Sequence, residues 1–146
     1  MAITDPEELA MACAAEMYAR DPGSQKLGIE IETVRPQYAR MRMTVEPWMS
    51  NGFGMCHGGF IFALADTAMA FASNAEDVPQ IAMQANIDYM KAAALGEILT
   101  AEAKLVEQTG RTALWDIEVC NQDGEKRCYA RGRTSKIKGT VRNRAI

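Results

Sequence analysis

A chain of 146 residues can bury one proper core, and its composition, 48% hydrophobic and 24% charged, is ordinary for a soluble globular protein. A net charge of −3 leaves no global electrostatic case for nucleic acid or an anionic membrane, and the longest apolar run is too short and too alanine-rich to span a bilayer. The four cysteines, at positions 13, 56, 120 and 128, form no C-x-x-C pair, and a single histidine leaves no zinc-site spacing, so no metal or other cofactor is expected.

The opening residues Met-Ala-Ile-Thr-Asp-Pro-Glu-Glu are acidic and lack the basic stretch that begins a secretory signal. The expectation is a reduced, cytoplasmic protein with free thiols. Thr4 or Asp5 can cap a helix over about residues 5–20, with Pro6 in its first turn and Glu7 and Glu8 near its positive end. Leu9, Cys13 and Met17 recur at helical spacing, and Asp21-Pro22-Gly23 should stop the helix. Two half-buried strands follow. In the first, Leu27, Ile29, Ile31 and Thr33 alternate with Gly28, Glu30 and Glu32. In the second, Met41, Met43 and Val45 alternate with Arg40, Arg42 and Thr44. Arg35-Pro36-Gln37 supplies the turn between them, and Pro47 closes the second strand.

Ser50-Asn51-Gly52 reads as a turn, and Gly58-Gly59 opens a long helix that should end near Asn74, before Glu76-Asp77-Val78-Pro79. Apolar residues occupy every side of this segment, the pattern of a helix buried all round. From Gly58 to Ala75, Asp66 is the only ionisable residue. A charge in such a helix is costly unless it is paired or faces a wet cavity. Asp66 is also too deep in the helix to cap it. It reads as a catalytic carboxylate. The competing reading is a structural carboxylate bonded to a neighbouring strand.

The rest reads as β. Ile81, Met83, Ala85, Ile87 and Tyr89 should line one face of a strand that Gly96 ends. A strand from Ile98 to Glu107 follows, then a Thr109-Gly110 turn. In the next strand Ala113, Trp115, Ile117 and Val119 alternate with Leu114, Asp116 and Glu118. Gln122-Asp123-Gly124 signals another hairpin, and the last strand runs from about Lys126 to Lys138. The basic tail, about 139–146, should fray. The order gives one α+β domain over 1–146, with four strands in meander style after the long helix.

The spacing of Asn51, His57-Gly58-Gly59 six positions on, and Leu64-Ala65-Asp66-Thr67 carries a resemblance, as do Asn74, Pro79, Ile87-Asp88-Tyr89 and Gly96-Glu97. In these residues the chain resembles hotdog-fold acyl-CoA thioesterases, the branch that includes the phenylacetic-acid-degradation thioesterases. The resemblance implies a curved antiparallel β-sheet wrapped around a long central helix. It implies homodimers joined edge to edge, commonly paired into homotetramers. The active site would lie where the glycine turn of one subunit faces the carboxylate of the other. The implied reaction hydrolyses an aryl-acyl-CoA (phenylacetyl or hydroxyphenylacetyl type) or a medium-chain acyl-CoA, coenzyme A entering only as part of the substrate.

Thioester hydrolysis needs a nucleophile and donors aimed at the developing oxyanion. The helix start offers free N–H groups, and glycine lets a carbonyl come close. Gly58 N–H is the expected first donor, with the Asn51 amide assisting. Asp66 would act as general base on water or attack directly to form an anhydride. His57 would orient the turn. Gly59 and Gln84 are expected substrate contacts, Gln84 standing where some relatives carry a hydroxyl residue that holds the attacking water. By similarity, Lys91 and Gly110-Arg111-Thr112 would meet the CoA phosphates, with Arg131, Arg133 and Lys138 as weaker candidates. Phe53, Met55 and Phe62 would line the acyl pocket. Two other functions fit the resemblance: an acyl-thioester hydratase or dehydratase, and a non-catalytic acyl-CoA-binding protein. Neither a nucleic acid nor a membrane is an expected partner.

Overall fold

The first helix, α1 (Pro6–Ala19), is capped by Asp5, whose carboxylate accepts the Glu8 amide at 3.2 Å. The computed structural model describes residues 2–144, so Met1 and the last two tail residues, 145 and 146, lie outside the described residues. Asp21-Pro22-Gly23 ends α1 but also opens a second helix, α2 (Pro22–Lys26). Asp21 caps it through the Ser24 amide and Pro22 suits its first turn, so one tripeptide serves as both stop and start.

Strands β1 (Glu30–Arg35) and β2 (Tyr38–Thr44) pair antiparallel. A bulge between Ile31 and Thr33 sets Thr33 opposite Arg40 on the outer face and puts Val34 inward opposite Ala39. The expected inward Thr33 is thereby corrected. Along β2 the alternation holds, with Met41 and Met43 buried and Arg40 and Arg42 outside.

The long helix, α3 (Gly58–Ser73), ends at its cap Asn74. Four strands follow: β3 (Gln80–Tyr89), β4 (Ile98–Thr109), β5 (Thr112–Cys120) and β6 (Lys126–Lys136). The sheet order is β1-β2-β4-β5-β6-β3, antiparallel throughout. Only β4-β5-β6 is a meander. β3 pairs with β6 at the far edge instead of with β4. The side chain of Asn74 sets this departure: its Oδ1 accepts the Gln80 amide at 2.8 Å and its Nδ2 donates to Gln80 O at 3.1 Å. The helix thus delivers the chain directly to that edge.

α3 packs against all six strands. Six strands span about 24 Å, while a helix with its side chains is about 10–12 Å across, so the sheet has to curve around it. At Gly132 the approach is closest: a Cβ there would lie 2.2 Å from Met69 Sδ. The core draws on Ile61, Leu64, Ala68 and Phe71 of α3, Met41, Met43, Leu99, Trp115 and Ile117 of the sheet, and Ala10 and Ala14 of α1.

α3 is not buried all round. Gly59 and Asp66 are exposed, and Phe62, Ala63, Thr67 and Ala70 are half-buried, forming an open stripe on the side the sheet does not cover. β3 also departs from its expected alternation. A bulge between Ala82 and Gln84 leaves Ala82, Ala85, Ile87 and Tyr89 facing α3 and turns Ile81 to the outer face, opposite Ser135. The tail up to residue 144 is held rather than frayed. Asp77 Oδ1 accepts the Val141 and Arg142 amides at 3.0 and 2.8 Å. Arg20 donates to Val141 O at 2.9 Å and Arg144 O at 2.8 Å. Among the described residues, no helix is long and apolar enough to cross a membrane.

Candidate active site

Asn51 folds its own loop. Its backbone amide donates to Met55 O at 2.7 Å, and its Oδ1 accepts from Phe53 N at 2.8 Å and Met55 N at 3.2 Å. The carbonyl half of the side chain is spent on the turn, while Nδ2 has no acceptor among the described residues. The loop is pinned at its return by Cys56 N to Ala93 O, 2.9 Å, and His57 N to Met49 O, 2.8 Å.

His57 caps α3. Its Nδ1 accepts from Gly59 N at 3.2 Å and its carbonyl from Phe60 N at 3.0 Å. Two donors of the first turn are thus occupied, and Gly58 N–H is left without an acceptor among the described residues. Tyr89 donates its hydroxyl to Gly58 O at 2.9 Å, and its ring would lie 3.1 Å from a Cβ at Gly58. A side chain at this position would crowd the Tyr89 ring, and glycine avoids that. Tyr89 was missed as a site residue because its partner is 31 positions away, and nothing local signals the pairing.

Asp66 sits on the open stripe with no hydrogen bond or ion pair among the described residues. Among the described residues of this chain, no strand supplies the partner that the structural reading needs. Surrounding protein takes water from the carboxyl and pushes its pKa up from the usual aspartate value. Eight residues of helix put Asp66 about 12 Å from Gly58 along the axis. A base and a donor acting on one carbonyl both need to be about 3 Å from it. One chain therefore carries both halves of a hydrolytic site without joining them.

The other expected residues scatter. Gln84 lies opposite Arg133, on the sheet face turned away from α3, so a single chain does not bring it to Asp66. Lys91 is paired with Glu125 at 2.9 Å, and Arg111 donates to Lys136 O at 3.2 Å. Gly110 and Thr112 share the β4–β5 turn with Arg111. Thr112 pairs with Ser135 and thence with Ile81, whereas Lys91 follows Tyr89, at the other end of β3. About 33 Å of strand separates these two phosphate candidates. Arg131 is paired with Asp116 at 2.7 Å, while Arg133 and Lys138 are exposed. Phe53 is 87% exposed at its loop tip, and Phe62 lies on the open stripe. Among the described residues, no group of His, Cys, Asp and Glu could hold a metal ion.

A six-stranded antiparallel sheet curved around one helix, with a glycine turn at the helix start, is the hotdog fold. The chain belongs to the thioesterase superfamily, whose family model matches residues 53–128. It is 37% identical over 132 residues to the acyl-coenzyme A thioesterase PaaI of Escherichia coli K12, covering 90% of this chain and 94% of that one. The solved structure of the E. coli PaaI protein from the phenylacetic acid degradation operon matches with a TM-score of 0.91 and 36% identity, covering 93% of this chain and 99% of that one. A Streptococcus pneumoniae hypothetical thioesterase, solved with coenzyme A, matches with a TM-score of 0.71 and 28% identity, over 75% of this chain and 85% of that one. The protein is a thioester hydrolase of the hotdog fold.

Proposed function

We propose that the protein hydrolyses acyl-CoA thioesters at sites shared between two subunits. The observation that carries this is the pairing, on one helix, of an unpartnered Asp66 with an unoccupied Gly58 N–H too far away to meet it. The named activity of the E. coli relative and the coenzyme A bound to the S. pneumoniae relative support the substrate class.

β3 is a free edge, and α3 runs antiparallel to it, Gly58 lying at Tyr89 and Asn74 at Gln80. Two such edges paired antiparallel about a two-fold would carry the Gly58 end of one subunit toward the partner's Asp66. The exposed Met83, Tyr89, Met90 and Phe53 would be covered in that dimer. Pairs of dimers would then form the homotetramer.

In the reaction, Gly58 N–H polarises the thioester carbonyl, and Asn51 Nδ2 is a second donor. Asp66 takes a proton from water as its oxygen attacks the carbonyl carbon. The C–S bond then breaks, and the proton passes to the departing CoA thiolate. Direct attack by Asp66, followed by hydrolysis of the anhydride, gives the same products. The acyl group is of aryl-acetyl or medium-chain type. The hydratase alternative needs His57 as a proton carrier, and the bond from Gly59 N already occupies its Nδ1.

The test is hydrolysis of phenylacetyl-, hydroxyphenylacetyl-, benzoyl-, short and medium fatty acyl-CoA, followed by thioester absorbance. Turnover by the native protein and a fall of about 10²–10⁴-fold in Asp66→Asn, with the oligomer intact, is the expected result. Equal rates in both, or no turnover on any member, would overturn it. Enoyl-CoA hydration would then favour the hydratase, and tight binding alone the binding protein.

A further inference from the structure

Two clefts open beside Asp66, and Met17 and Ala70 form the partition between them. The first, of 360 Å³, lies between α1, α3, the start of β3 and the C-terminal segment. Its apolar wall is made by Met17, Met69, Ala70, Ile137 and Val141. The polar groups of that wall are already engaged. Ser73 Oγ and Asn74 Nδ2 donate to Ala70 O at 3.1 and 2.8 Å, and Thr134 Oγ1 donates to Gln80 Oε1 at 2.6 Å. Asp66 is the one carboxylate on the wall, and it has no partner among the described residues. Binding sites for small molecules run to about 300–1,000 Å³, and an apolar space of about 150 Å³ holds a benzene ring.

One rim of this cleft is held by specific bonds. Arg20, at the end of α1, spends two guanidinium nitrogens on the carbonyls of Val141 and Arg144, clasping the C-terminal segment beside the cleft that all three line. Arg144 in turn donates to Lys138 O at 3.1 Å. Both α1 and the clasped segment fall outside residues 53–128, the span matched by the family model.

We propose, resting on the thioesterase reading, that this cleft receives the acyl group, an aromatic ring or short alkyl chain without charge. Met17 and Ala70 set its depth, and the Arg20 clasp sets its rigidity. Selectivity then draws on the two terminal segments together with Ala70, while the chemistry resides in the central span. The acyl pocket expected at Phe53, Met55 and Phe62 is replaced by one on the other side of Asp66.

The test separates the cleft from the reaction. Calorimetry would compare binding of coenzyme A and of its S-(2-phenylethyl) thioether, which cannot be hydrolysed, to the native protein and to Ala70→Leu. In the native protein the thioether binds more tightly. Ala70→Leu narrows that gap by about tenfold, as expected for lost space in an apolar pocket. Met17→Trp, filling the same space from α1, does likewise and serves if the leucine variant fails to fold. Arg20→Gln lowers the phenylacetyl-to-acetyl ratio of kcat/KM. No gap in the native protein, or an equal gap in both filled variants, overturns the assignment. A gap that closes as stated in a protein without thioester turnover sustains the cleft and overturns the thioesterase reading instead.

Discussion

Asp66 is held in a state that costs the fold something. The packing that removes part of its water raises its pKa in the folded chain, so the native state binds that proton more tightly than the unfolded one. The cost is absent below the ordinary aspartate value and grows as pH rises through the raised one. Two outcomes follow. Asp66→Asn should melt no lower than the native protein at neutral pH, measured by calorimetry. A fall of several degrees would mean the carboxylate has a structural partner. The acid limb of kcat/KM should lie above the usual aspartate range, because only the ionised carboxylate serves as base. The suspicion that fell on Asp66 came from a lone charge in an apolar helix, which a sequence displays directly. The unoccupied Gly58 N–H was equally legible, since helix starts leave donors free. The Tyr89 contact that crowds this glycine was not, because it joins distant segments.

At the scale of elements, the loop that pins the glycine turn rests on a buried ion pair. Arg127 Nη2 and Nε meet Glu97 at 2.6 and 3.0 Å, with side chains only 4% and 14% exposed. Glu97 lies just past Ala93, whose carbonyl holds Cys56. Glu97→Gln leaves the buried guanidinium with only the distant Glu125 carboxylate, 3.8 Å away, and should cost up to about 3–5 kcal/mol by denaturant titration. The bond from Arg127 holds the Glu97 carboxyl below its usual range. Its contribution is therefore present above the ordinary glutamate value and is lost as pH falls through the lowered one. A pair whose removal changes nothing would leave the loop supported by backbone bonds alone. Helix and strand identities were readable because periods of 3.6 and 2 leave plain patterns, as along Met41 and Met43. The bulges before Thr33 and after Ala82 were not, since one extra residue shifts the faces without altering composition. Nor was the route of β3, which depends on Asn74 reaching Gln80.

For the whole molecule, the open stripe of α3 and the free edge of β3 lie on one side, with Ile81, Met83, Tyr89 and Met90 exposed. Placing a charge there, as in Met83→Lys, should yield a folded monomer by light scattering, because edge lysines block strand addition. Its turnover should fall by about 10² or more, the contribution of a general base, if base and donor come from different chains. A monomer with full turnover would sink the shared site. A sequence read one residue at a time cannot show that a site is divided; the helix rise between Gly58 and Asp66 shows it at once.

The far-edge position of β3 also bears on how the protein is made. β3 leaves the ribosome before β4, yet its one partner among the described residues is β6, the last of their strands. At about 5–20 residues per second, the roughly forty residues between them take about 2–8 s to synthesise. Throughout that interval Gly58 lacks a completed sheet beneath its helix, and the unpaired strand is free to join a neighbouring nascent chain. Translation speed across the last hairpins, rather than any property of the finished enzyme, would then set the fraction of chains lost to misassembly.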